Sequence, residues 1–79
     1  MSIILEDKEI KAAYEILKST KDAGMFTIIF RDQLGDIINE DEEDILLDIE
    51  DRLIKDGWVF QDLKSRLLTP TDKLLACYD

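Results

Sequence analysis

The feature that most limits what this chain can fold into is a change of period at Gly57. Ahead of it, from Glu40 to Asp56, apolar residues recur at helical spacing: Ile45, Leu46, Ile49 and Leu53 fall within about a third of a turn at 100° per residue. Behind it, Trp58 and Phe60 alternate with Val59, which is the period of a strand. A polar turn at Asp62 to Ser65 follows, and Arg66 to Thr69 return as a second strand. Thr69-Pro70 then opens another helix, with proline at the first helical position, where its missing N–H costs nothing, and Asp72 in the capping place. A helix, a hairpin and a helix are thus fixed in order within residues 40–78. Trp58 and Phe60 are expected to face the core.

The segment before Asn39 extends this pattern with two helices. Ile10, Ala13, Tyr14 and Leu17 make an i, i+3, i+4, i+7 stripe, which predicts a helix from about Asp7 to Asp22 that ends near Gly24. Met25 to Ile28 is rich in strand formers and too short to stand alone, so it predicts a β-bridge or an extended link. A second helix is expected over Phe30 to Ile38, with Phe30, Leu34, Ile37 and Ile38 inward. Gly35 within it costs about 1 kcal/mol relative to alanine, which points to close approach of another element. Asn39 offers an N-cap for the third helix, with Glu42 three residues on. On its outer face Asp48 with Arg52, and Asp51 with Lys55, are expected to pair at i, i+4. With 79 residues the chain is read as one domain. A chain of this size buries only about 60% of the surface it exposes when unfolded, so a partner or a second copy would add to its stability. The fold class expected is α+β, mainly helical: three N-terminal helices, a two-stranded β-wing and a C-terminal helix.

That order, together with the stretch RLIKDGWVFQDLKSRLLTPTDKLLA (residues 52–76), resembles the winged helix-turn-helix superfamily, especially its MarR-like and PadR-like members. The matching features are Leu53, Gly57, Trp58-Val59, a wing from Gln61 to Arg66, and Leu68-Thr69-Pro70. The resemblance covers about residues 8–78. Asp72 stands where that family usually has a glycine, and the wing is short. The resemblance implies that Asn39 to Asp56 is the recognition helix, whose first turn meets base edges in DNA-binding relatives.

Charge opposes that use. The formal net charge is −9, from 10 basic and 19 acidic side chains. Residues 39–56 hold nine acids and two bases, or −7, leaving −2 for the rest of the chain. Non-specific DNA affinity comes almost wholly from lysine and arginine releasing counterions, and acids at the point of insertion work against it. The leading expectation is therefore a protein-interaction module that docks a basic partner, such as nucleic-acid-handling or transcription machinery, through Glu40, Asp41, Glu43, Asp44, Asp48 and Asp51 of the acidic third helix, or through the apolar hairpin. Two alternatives stand beside it. One is a dimeric DNA-binding transcriptional regulator that uses Arg52, Lys55, Lys64 and Arg66. The other is a DNA mimic whose acidic helix occupies a DNA-binding protein. First-turn acids also complement the helix dipole by about 0.3–1 kcal/mol each, so a plain solvated face is the bland account of the same residues.

No chemistry of another kind is expected. Histidine is absent, so nothing can activate Cys77 as a nucleophile. The acidic run lacks the alternating ligands and central glycine of a calcium loop, and no cofactor is implied. A single cysteine allows no disulfide within the chain. Ile3-Ile4-Leu5 lacks a basic flank and is too short for a signal peptide, and no apolar run approaches the ~18 residues of a membrane span. A soluble, cytoplasmic protein is expected, with Ile3-Ile4-Leu5 and the first helix as a surface for a homodimer.

Overall fold

Two short strands and a single bridging residue hold the four helices in register. The computed structural model describes residues 4–78, in the order α1 (Asp7–Leu17), α2 (Thr27–Ile38), α3 (Glu43–Lys55), β1 (Val59–Gln61), β2 (Leu68–Pro70) and α4 (Asp72–Tyr78). The architecture is α+β, mainly helical, with a winged-helix-like layout. Strands β1 and β2 pair antiparallel with Phe60 opposite Thr69. Met25 adds a bridge to the free edge of β2: its N–H donates to the Leu68 carbonyl and its carbonyl accepts from the Leu68 N–H, both at 2.8 Å. The chain entering α2 is thereby tied to the hairpin.

Helix α1 starts on a glutamate pair. The Glu6 N–H donates to Glu9 Oε1 at 2.7 Å, which answers one of the orphan donors of a helix start. The helix stops at Leu17, a turn and a half before the expected Asp22. Thr20 closes the chain there, with its Oγ1 donating to the Leu17 carbonyl at 3.1 Å. Gly24, at φ +83°, then takes the turn toward Met25. The inward face is Glu9, Ala12, Ala13, Ile16 and Leu17, about one residue round from the expected stripe, and Ile10 and Tyr14 lie at its margin. Ile3 lies outside the described residues, and Ile4 beside it is exposed.

Helix α2 begins at Thr27, three residues earlier than its apolar spacing predicts. Its N-cap is Phe26, which has no side-chain oxygen to announce a start. Met25 is in the bridge as expected, whereas Thr27 and Ile28 are helical. Phe30 and Leu34 are fully buried, but Ile37 is turned out to solvent. Gly35 is packed tightly against the turn that leads to α3 and against α3 itself: a Cβ there would stand 2.7 Å from the Glu40 carbonyl and 3.3 Å from Leu46 Cδ1.

The junction between α2 and α3 corrects the expected capping. Asn39 does not start α3; it ends α2 in the left-handed region, at φ 60° and ψ 51°. Its N–H and that of Glu40 both donate to the Gly35 carbonyl, the latter at 2.9 Å. Asparagine is one of the few residues other than glycine that tolerates this conformation, so one residue type serves helix starts and helix stops alike. Helix α3 begins at Glu43 with Glu42 as its cap.

Alternation in the hairpin is as expected, but its facing is reversed. Val59 and Leu68 enter the core, Phe60 is exposed, and Trp58 is half-buried beside the strand. Pro70 ends β2 rather than beginning α4, and Thr71 takes the capping role expected of Thr69: its Oγ1 accepts from the Leu74 N–H at 3.3 Å. The core joins Leu17 and Ala13 of α1, Phe30 and Leu34 of α2, Leu46, Ile49 and Leu53 of α3, Val59, Leu68 and Leu74. Tyr78 on α4 stacks against Tyr14 of α1, ring centroids 5.1 Å apart. Cys77 is exposed rather than packed.

Candidate protein-docking surfaces

The six acids expected to meet a partner are divided by the fold between two surfaces. Helix α3 turns Leu46, Ile49, Glu50 and Leu53 inward. The opposite side of the cylinder is then Asp44, Asp48, Asp51 and Lys55, which follow one another at i+4, i+3 and i+4. All four are exposed, and among the described residues no ion pair or side-chain hydrogen bond engages them. Leu47 and Ile45, both partly open to solvent, flank this ridge on its two sides.

The expected pairs of Asp48 with Arg52 and Asp51 with Lys55 do not form. Arg52 turns toward the helix end, where its Nε lies 3.0 and 3.1 Å from the two carboxylate oxygens of Asp56. A cation in the last turn satisfies the negative helix end as well as the carboxylate, which favours this partner over Asp48.

Glu40, Asp41 and Glu43 lie elsewhere, at the mouth of a cleft between α2 and the start of α3. Glu40 and Asp41 belong to the connecting turn, outside the helix in which they were expected. The Glu40 carboxylate accepts the N–H groups of Asp41 and Glu42, both at 3.1 Å, so its charge holds the turn. The cleft has a volume of about 270 Å³, and Asp32 and Asp36 of α2 complete its acidic lining. Asp32 and Asp36 carry an i, i+4 signal that was legible beside the apolar stripe of α2.

Among the described residues Arg31 is the single cation lining this cleft, and it is committed to two carboxylates. Its Nη1 donates to Glu50 Oε2 at 3.0 Å and its Nε to Glu43 Oε1 at 3.2 Å. Glu50 is 5% exposed, and its Oε1 has no hydrogen-bond partner among the described residues. Burial pushes the Glu50 carboxyl above its ordinary range, and the Arg31 guanidinium pulls it partly back. Sequence reasoning missed both residues. Glu50 sits at a core position of the α3 pattern, and a long-range partner leaves no local mark.

The bases on which DNA contact would depend are scattered. Arg52 is held by Asp56. Lys55 lies within the acidic ridge. Lys64 and Arg66 are exposed on the wing turn, which Asp62 organises by accepting the Lys64 N–H at 2.8 Å on Oδ1 and the Arg66 N–H at 2.8 Å on its carbonyl. Arg66 is itself left-handed, at φ 64°. Among the described residues no three metal-ligating side chains are grouped to hold an ion, and no helix is long and apolar enough to cross a membrane. Comparison with protein-family models, with curated proteins and with solved structures finds no match.

Proposed function

We propose that this chain is a winged-helix-like protein-interaction module that docks a basic surface of a partner through the outer ridge of α3. The observation that carries this reading is that Asp44, Asp48 and Asp51 stand exposed on one line with no cation among the described residues engaging them. Like charges at helical spacing cost a few tenths of a kcal/mol per pair, and a basic partner would convert that cost into attraction. Each exposed charge pair is worth about 0.2–1 kcal/mol, so three of them amount to roughly 3- to 150-fold in affinity.

The test compares the native chain with its Asp44→Asn/Asp48→Asn/Asp51→Asn variant as baits. Partners are identified by mass spectrometry, then purified and titrated directly. A partner whose affinity falls by that factor, and more steeply at low salt, supports the reading; partners bound equally by both baits defeat it. The wing supplies a second reading, DNA binding through Lys64 and Arg66. It is the weaker one, because Arg52 is already engaged. Duplex retardation at low salt that disappears with Lys64→Ala or Arg66→Ala would favour it instead.

A further inference from the structure

The start of α2 exposes more apolar surface than any other part of the described chain, and it does so beside the acidic cleft. Phe26 is 64% exposed and Ile28 74%, with Ile29 next to them. Against Ser65 and Arg66 of the wing turn they line a hollow of about 330 Å³. Ile28 also lines the cleft that holds Asp32, Asp36, Glu40, Asp41 and Glu43. The two depressions therefore adjoin at Ile28, which lines both, with the apolar one on its one side and the acidic one on its other.

Ile28, Asp32 and Asp36 follow one another at i+4 along α2, a span of about 12 Å. The carboxylates of Glu40 and Glu43 are occupied within the chain, by the turn and by Arg31, whereas those of Asp32, Asp36 and Asp41 are engaged by no side chain or N–H among the described residues.

From this juxtaposition we infer that the α2 face is a second docking surface, built for a helical segment of a partner protein that carries an apolar side chain followed by lysines or arginines one and two turns along. The apolar residue enters the hollow of Phe26, Ile28 and Ile29; the cations lie over Asp32, Asp36 and Asp41. Charge selects this occupant over a second copy of the chain, since two molecules of net charge −9 would bring carboxylates against carboxylates. The inference rests on the reading of the chain as a protein-interaction module, but uses a different face from the α3 ridge.

The probe is a synthetic 14-residue helix with leucines in one turn and lysines four and eight residues further along the same face, titrated into the ¹⁵N-labelled 79-residue chain. The expected result is amide shifts concentrated in residues 26–36 and 40–43, and binding weakened roughly tenfold by Ile28→Ser and by Asp32→Asn/Asp36→Asn. A peptide with its leucines replaced by alanine should lose a similar factor. Each substituted side chain is exposed, so the variants should keep the wild-type spectrum elsewhere. Shifts confined to residues 44–55, with loss only in the Asp44→Asn/Asp48→Asn/Asp51→Asn variant, would overturn the α2 assignment and leave the ridge reading standing. No binding, or equal binding by every variant and by the alanine peptide, would overturn the α2 assignment too, while leaving the ridge to be judged by its own baits. A dimer in sedimentation that Ile28→Ser dissolves would assign the hollow to a second copy and overturn the inference.

Discussion

A carboxylate inside a small core costs several kcal/mol unless its charge is answered, and Glu50 is answered on one side only. Arg31 reaches Oε2, while Oε1 makes no hydrogen bond with the described residues. The folded pKa is raised above the ordinary value. A group shifted in this direction contributes most to stability below its unfolded pKa, and that contribution is lost as pH rises through the folded value. Neighbouring Glu43 and Asp51 add to the shift. Glu50→Gln keeps the shape and can still accept from Arg31, which retains Glu43. The variant should therefore gain stability relative to wild type between about pH 4 and pH 7. Urea unfolding of both proteins at the two pH values reads the difference, and a constant gap would show that Glu50 carries no such linkage. Gly35 presents the opposite case, a residue chosen for what it lacks. An added methyl group must displace the Glu40 carbonyl, a backbone atom 2.7 Å away, from the turn that aligns α3. Gly35→Ala should lose about 1–3 kcal/mol by overpacking, even though alanine is the better helix former. A thermal melt at or above the wild-type midpoint would contradict the close approach.

Among the elements, the end of α3, the end of β2 and the start of α4 meet at Thr71 and Lys73. The Thr71 hydroxyl lies 2.6 Å from the Gly57 carbonyl and 3.0 Å from that of Trp58, and it accepts from the Leu74 N–H. Lys73 Nζ donates to the Asp56 carbonyl at 2.7 Å and lies 4.2 Å from the Trp58 ring centroid. Thr71→Val removes the donor and the cap at nearly constant volume and should cost about 1–2 kcal/mol, read as a lower urea midpoint with the slope unchanged. An unchanged midpoint would show that the hydroxyl is not needed at this joint. The same joint shows what periodicity could and could not convey. Gly57 marked the end of α3 to within a residue or two, because a change from period 3.6 to period 2 is a local property. The facing of the hairpin was not local. It depends on where Trp58 is held, by its N–H donating to the Leu53 carbonyl at 2.9 Å, and that contact puts Val59 rather than Phe60 into the core. The shift of the α4 cap from Thr69 to Thr71 follows from β2 continuing through Pro70, whose missing N–H is tolerated at a strand end. Capping signals failed where the residue type has two uses, as at Asn39, or where no polar cap exists, as at Phe26. Of the candidate docking surfaces, the ridge was legible as helical spacing. The α2 cleft was not, since its lining comes from two helices and a turn.

For the whole molecule, what matters is how charge is laid over a shape. The layout is winged-helix-like, the chain carries −9, and the outer ridge of α3 is acidic. If charge alone keeps this surface from phosphates, reversing the ridge should open it. Asp44→Lys/Asp48→Lys/Asp51→Lys changes each position by two units and moves the formal charge from −9 to −3. It also sets three new lysines in line with Lys55. Each phosphate neutralised steepens the dependence of log affinity on log salt by about 0.9 for duplex DNA. With three to four lysines engaged, the variant should bind duplex DNA at low salt with a slope of about −3 to −4, and the native chain should not bind under the same conditions. Lysine at position 44 gives up a favourable carboxylate at the helix start, about 0.3–1 kcal/mol. Circular dichroism and a thermal melt must therefore show the variant folded at the temperature of the titration. If the folded variant still ignores DNA, the shape of α3 and the wing, and not their charge, is what excludes the groove. Salt-dependent binding in the variant alone would show that carboxylates are what turn this scaffold away from nucleic acid.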